Sequence, residues 1–384
     1  MTQASNPPPK PSYSPGLEGV IAGESAICQV DPAAGLLYRG YVIESIADRV
    51  SFEQVAWLLL EGELPTDTEL IQFHNELTAA SALPGQVVSM LHMVPRGMHP
   101  MDIIRTGVSM LAGFDPELID NSHEANTRKA IRIIAKLSTL TTTGWRISIG
   151  QEPVAPRHDL GHAANFLYCL TGDEPEDWQI KVLDTMFNLY AEHDFNASTF
   201  AARVTASTLS DIYAAITSAI GTLKGPLHGG ANEDAVKVLR EIGSPENVPA
   251  WVADKIAKKQ KIAGFGHRVY KKGDSRVPNI RKLALDLAER TGEQNMIQIC
   301  RALETEMEKA KGLYANADLY VAPLFHMMDI PSALNTPIFA CARVVGWCAH
   351  VIEQHDHNRI IRPRSLYTGH PPREYSGKSG AVKT

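Results

Sequence analysis

Apolar positions recur along most of this chain with the spacing of one helical face, and only a short N-terminal stretch alternates. Ser51-Phe52-Glu53-Gln54 and Thr66-Asp67-Thr68-Glu69 each set a hydroxyl residue three positions ahead of a Gln or Glu, then run into Val55, Leu58 and Leu59 or Leu70, Phe73 and Leu77. Such a capping box satisfies two amide N–H groups that a helix start otherwise leaves unpaired. Gly62 and Pro65 between the two runs predict a stop and a restart, hence a helix pair joined by a short turn. Leu209, Ile212, Tyr213, Ile216, Ile220 and Leu223 form another stripe, which Gly225-Pro226 ends just before His228. Ile280, Leu283 and Leu287, and then Met296 to Met307, predict two more amphipathic helices. Alternation is confined to Ala26 to Ile43, where Asp31 to Gly35 suits the turn of a small hairpin. The pattern predicts an all-α protein with at most a minor β-hairpin near the N-terminus.

Residues 1–15 are rich in Pro and Ser and are expected to form a disordered tail. The Gly/Pro loop at 225–230 and the region of Pro331 bracket a further segment. That bracketing predicts a smaller helical domain, 225–324, inserted into a large one made of 16–224 plus 325–384. Clefts between such domains are common active sites.

Composition removes several classes of partner. A net charge of −6 on 384 residues leaves no basic excess for nucleic acid or an anionic membrane. The longest uncharged runs, Ile212 to Leu223 and Ile330 to Ala342, are too short to span a bilayer, and the N-terminus has no apolar signal region. Five scattered cysteines read as buried reduced thiols of a cytoplasmic protein.

Candidate chemistry gathers at two histidines in glycine-rich loops: His228 in GPLHGGANEDAV and His267 in AGFGHRVYKKGDSR. Glycines on such a loop let the backbone approach a ligand closely, at a cost in stability that a use must offset. His193 has polar neighbours at a predicted helix end, and Arg276 follows His267 by nine residues. Arg343 lies inside the apolar run Phe339 to Trp347 and needs a buried anionic partner. Arg362 and Arg364 flank Pro363. Asp318, in another apolar setting, is either a helix cap or a base, and its local pattern favours the cap.

These motifs occur together in a known order. HGGANE, GFGHRVYK, the Asp318 segment, the Arg343 helix and RPRSLYTG, preceded by GLEGVIAGESAICQV, YRGY and WLLLEGELPT, resemble the citrate synthases from Gly16 to Gly369. The resemblance implies an almost wholly helical homodimer that condenses acetyl-CoA, as co-substrate, with oxaloacetate, giving citrate and CoA with no tightly bound cofactor and no metal. It casts Asp318 as the base, His228 as donor to the thioester oxygen and His267 as donor to the oxaloacetate carbonyl. It also casts His193, Arg276 and Arg343 as holders of the oxaloacetate or citrate carboxylates, and Arg362 as reaching into the partner's site. Ala263, Gly264, Gly266 and Lys271 are implied as coenzyme A contacts. Two positions depart from the family pattern: Leu319-Tyr320-Val321-Ala322 replaces a Ser-Gly after the base, and Ser275 replaces Pro before Arg276. A 2-methylcitrate synthase using propionyl-CoA carries the same motifs, since one methylene is worth only about 1–3 kcal/mol in a pocket. A noncatalytic helical assembly or ligand sensor is the alternative of another class.

Overall fold

Helix Asn335–Asp356 is the centre around which the chain is built: Arg343 and Trp347 are among its fully buried side chains. Helices Phe52–Glu61, His123–Ser148, Asp177–Tyr190, Ala197–Ala206 and Ile212–Leu223 pack around it. The computed structural model describes residues 13–31, 34–229, 231–266 and 273–375, with the side chains of 231–234 excepted. Residues 25–360 form one compact unit, and 1–24 with 361–384 form another. Among the described residues no helix is long and apolar enough to cross a membrane, and all five cysteines are buried free thiols.

The predicted helix starts are present. Ser51 and Thr66 each complete a capping box, at helices Phe52–Glu61 and Asp67–Ala80, and Gly62 closes the first in the left-handed conformation (φ 102°). The two expected amphipathic helices run Val277–Thr291 and Gln294–Lys311. The Leu209 stripe begins later than expected. Asp211 accepts a hydrogen bond from the N–H of Ala214 (2.9 Å) and starts the helix at Ile212, leaving Leu209 exposed with φ 63°.

The β element has one strand more than the hairpin. Cys28–Asp31 pairs antiparallel with Gly35–Tyr38, and Tyr38 and Leu37 pair with Tyr41–Val42. Arg39 and Gly40 both take positive φ (48° and 90°), the pair of conformations that a tight reversal between twisted strands requires. Arg39 is held there by donating to the carbonyl of Leu59 (2.8 Å from Nη2).

A second group of helices, Ala231–Ile242, Val248–Ala257, Val277–Thr291, Gln294–Lys311 and Ala317–Met327, packs largely on itself. It brings to the site Arg276, just before Val277–Thr291, and the start of Ala317–Met327. The cap there is Asn316, whose Oδ1 accepts the N–H of Asp318 (3.1 Å), so Asp318 is not the cap that its local pattern favoured. Among the described residues, none donates to the Asp318 carboxylate.

Candidate active site

A cavity of about 420 Å3 opens among residues that are far apart in the chain: His193, His228, Gly266, Arg276, Asp318 and Arg343 line it, with Tyr190, Phe195, Leu227 and Phe339 as its apolar wall. Six of the residues singled out from the sequence therefore meet in one place. Ala263 and Gly264 stand just behind, where the backbone is stitched to the segment before Asp318. Asn316 N donates to Gly264 O (2.9 Å), Gly266 N to Tyr314 O (3.0 Å), and Asn316 Nδ2 to Gly266 O (3.1 Å). Arg362 is exposed in the other unit. His267 and Lys271 lie outside the described residues.

Asp318 is half-buried as a residue, but its carboxylate receives no hydrogen bond from any described residue. Burial pushes its pKa up to about 7; the Arg276 charge pulls it down and the Asp274 carboxylate pushes it further up. A carboxylate so poised takes a proton near neutral pH far better than an ordinary aspartate.

His228 follows the helix Ile212–Leu223 and its closing turn, in which His228 N donates to Gly225 O (2.9 Å). Helix Ala231–Ile242 begins three residues later. Its Nε2 lies 2.8 Å from Ser198 Oγ and accepts from the backbone N–H of Ser198 (3.4 Å). A backbone N–H can only donate, so the ring proton is assigned to Nδ1, which has no hydrogen-bond partner among the described residues. Trp347 Nε1 donates to Ser198 Oγ (3.1 Å) and fixes the hydroxyl from behind. Burial, helped by the Arg343 charge, pushes the His228 pKa down to about 4. The imidazole is therefore a neutral donor facing the cavity.

The cations are placed by buried acids and carbonyls. Arg276 donates to Asp274 from Nε (3.0 Å) and Nη2 (2.7 Å). Burial alone would raise Asp274, yet the Arg276 charge and hydrogen bonds outweigh it and hold that carboxyl well below the usual range. Arg343 donates from Nε to Tyr190 O (2.7 Å) and lies over the Phe339 ring at 4.7 Å, while its Nη groups have no acceptor among the described residues. The anionic partner expected for it is Glu192, fully buried beside His193. Two guanidiniums, an imidazole donor and a bare carboxylate thus share a cavity fit for a small dianion and a weak carbon acid.

Sequence reasoning missed Ser198, Asp274 and Glu192 as parts of the site. Asp274 could have been found, because an Asp two residues before an Arg can fold back onto it. Ser198 carried no signal beyond its place after Asn196, whose side chain caps Ala197–Ala206 by accepting from Thr199 N (3.1 Å). The departure after the base also has a local explanation. Leu319 packs on Gly264 and Tyr320 Oη donates to Glu304 (2.6 Å), so the residues after the base are held by apolar and tyrosyl contacts.

Residues 16–364 match the family model described as "Citrate synthase, C-terminal domain". The chain is 44% identical over 362 residues to a citrate/2-methylcitrate synthase of Bacillus subtilis, covering 94% of this chain and 97% of that one. It is 42% identical over 359 residues to a citrate synthase of Heyndrickxia coagulans, covering 93% and 96%. The solved citrate synthase of Thermoplasma acidophilum, a ternary complex with carboxymethyl coenzyme A and oxaloacetate, superimposes with a TM-score of 0.90 at 32% identity, over 95% of this chain and 98% of that one. With the fold, the cavity and these likenesses in agreement, the chain belongs to the citrate synthase family of acyl-transferring enzymes.

Proposed function

We propose that this chain joins the methyl carbon of acetyl-CoA to the ketone of oxaloacetate and then hydrolyses the thioester, releasing citrate and CoA. The observation that carries the reading is the pairing of a half-buried Asp318 carboxylate, bonded by no described residue, with a neutral His228 donor in a cavity that also holds Arg276 and Arg343. A thioester methyl is a weak carbon acid, so Asp318 removes its proton only if charge on the thioester oxygen is stabilised as it forms. Nδ1–H of His228 supplies that hydrogen bond. The enol carbon attacks the ketone, and the new alkoxide takes its proton from His267. His193, Arg276 and Arg343 hold the carboxylates of oxaloacetate and citrate. Water then cleaves the C–S bond of the citryl thioester, and CoA leaves as the thiol.

Acetyl-CoA reaches the cavity along Ala263, Gly264 and Gly266, with Lys271 on its polar end. Glycine at 264 and 266, both at positive φ, gives the thin backbone wall that such an approach favours. A small domain of 225–324 closing on a large domain of 16–224 plus 325–384 would expel water from the reaction. Two chains form the working enzyme, with Arg362 completing the partner's site, in the cytoplasm and without a bound cofactor.

Propionyl-CoA is the second reading. The aromatic pair Tyr190–Phe339 (centroids 4.4 Å apart) and Leu227 give the cavity an apolar side that suits one more methylene, and the Bacillus subtilis relative is named for both activities. The test is oxaloacetate-dependent release of the CoA thiol, comparing kcat/KM for acetyl-CoA and propionyl-CoA. A higher kcat/KM for acetyl-CoA supports the first reading, a higher value for propionyl-CoA replaces it with the second, and no release from either overturns both.

A further inference from the structure

Behind the cavity lies a buried polar chain that the proposed chemistry does not use. Glu192 is fully buried, and its Oε1 lies 3.0 Å from His350 Nε2. His350 Nδ1 lies 2.9 Å from Arg203 Nη1, and Arg203 in turn donates to Glu353 Oε2 (2.6 Å) and Gln354 Oε1 (3.2 Å). Arginine can only donate, so His350 Nδ1 is an acceptor and its proton sits on Nε2, directed at Glu192. Tyr38 Oη accepts the N–H of Glu192 (3.0 Å) and lies 2.9 Å from its carbonyl, fixing the backbone as well.

The other carboxylate oxygen, Oε2, has no hydrogen-bond partner among the described residues. It is pressed against Gly346, where a Cβ would overlap it and would also come 2.5 Å from the Ala191 carbonyl. Glycine in the interior of a 22-residue helix is destabilising relative to alanine. Its use here is to admit this carboxylate. Arg343 stands one helical turn before Gly346, and its Nη groups lack an acceptor among the described residues. Arg343 Nη groups without an acceptor and a Glu192 Oε2 without a donor, both among the described residues, thus belong to the same stretch of this helix. Burial lowers the Arg343 pKa, and the Glu192 charge is the foremost influence raising it again.

We propose that Glu192, aimed by His350 and admitted by Gly346, is a positioning residue: the buried counter-charge that holds Arg343 ready for a substrate carboxylate. A direct ion pair would consume the guanidinium donors that the substrate needs. A counter-charge acting through space in a poorly screened interior stabilises the cation and leaves those donors open.

This inference rests on the reading that Arg343 binds oxaloacetate. Glu192→Gln keeps the volume and the acceptor for His350 and removes only the charge. It should weaken oxaloacetate binding about tenfold or more, by calorimetry and by KM, with the KM for acyl-CoA changed less than about twofold. In an Arg343→Gln background the same substitution should add nothing, because the group it serves is gone. Gly346→Ala, which displaces the carboxylate from the facing helix, should reproduce the effect and decides the matter if the Gln variant does not fold. Unchanged oxaloacetate affinity in whichever of the two variants folds, or an equal loss in the Arg343→Gln background, overturns the proposal. Absence of thiol release by the unaltered protein would instead count against the functional reading, since the affinity measurement does not depend on turnover.

Discussion

Asp274 grips Arg276 through two hydrogen bonds, 3.0 Å and 2.7 Å long, and both side chains are buried. The same carboxylate accepts the N–H of Ala317 (3.2 Å), immediately before Asp318. One buried acid therefore anchors a cation of the cavity and the start of the helix that carries the base. Asp274→Asn leaves the guanidinium buried without its counter-charge, and breaking such a pair costs about 3–5 kcal/mol. Urea denaturation should show a loss of that order, together with a raised KM for oxaloacetate. A loss below about 1 kcal/mol, the size of a surface ion pair, would contradict the anchoring role.

Activity should fall on the acid side because Asp318 must be ionised to accept a proton. With its pKa raised to about 7, kcat/KM is expected to drop about tenfold per pH unit below that value. His228, lowered to about 4, stays neutral throughout that range. Stability has the opposite sign. A carboxyl whose folded pKa lies above its unfolded value of about 3.9 contributes most at low pH and loses that contribution as pH rises through the folded pKa. Asp318→Asn should thus abolish most turnover yet raise Tm relative to the unaltered protein at about pH 8, with the gain shrinking toward about pH 4. A Tm difference that is flat with pH would show that Asp318 is not held in the unfavourable charged state.

Ser198 should matter to both chemistry and stability. Ser198→Ala leaves Trp347 Nε1 without its acceptor and His228 Nε2 with only the longer bond from the Ser198 backbone N–H, and an orphaned buried group costs about 1–3 kcal/mol. The remaining 3.4 Å bond from the Ser198 backbone N–H still keeps the proton on Nδ1 but holds the ring less firmly, so kcat should fall more than either KM. Equal kcat in the variant would mean that the Ser198 hydroxyl does not position the imidazole.

How much of this was readable in the sequence varies with the range of the interaction. The capping boxes at Ser51 and Thr66 are local, and both helices start where the pattern places them. Leu209 fits the apolar stripe but lies outside the helix, because Asp211 caps it two residues later. The role of Asp318 was hidden by its neighbour, since only the fold shows that Asn316 takes the capping bond. Glu192 and Gly346 are separated by more than 150 residues in the chain. Nothing local to Gly346 announces that a carboxylate must fit against it.

The shared-site reading of Arg362 makes a prediction about assembly. Light scattering should give a dimer, and Arg362→Ala should be almost inactive. Mixed with Asp318→Ala under conditions that exchange subunits, it should regain activity, because one of the two sites in a heterodimer would have both residues intact. Failure of the mixture to recover any activity, with heterodimers demonstrably formed, would confine Arg362 to its own chain.

Two neighbouring glycines should behave differently, because only one of them meets the helix of the base. Gly264 and Gly266 both take positive φ, 85° and 82°, and alanine in that region costs about 1–2 kcal/mol. For Gly266 no contact with a described residue adds to that penalty, since a Cβ there meets none of them within 4 Å. At Gly264 a Cβ would lie 3.0 Å from Leu319 Cβ and 3.2 Å from its Cα. Those two atoms belong to every residue except glycine in whole or part, so trimming Leu319 to alanine does not relieve the contact. The Gly264 turn and the helix must move apart, and Asp318 moves with the helix. Gly264→Ala should therefore lower kcat and stability well beyond Gly266→Ala, and Leu319→Ala should add its own loss to within about 0.5 kcal/mol instead of rescuing it. Rescue by Leu319→Ala would place the clash at the leucine's outer methyl group and leave the position of the base independent of Gly264.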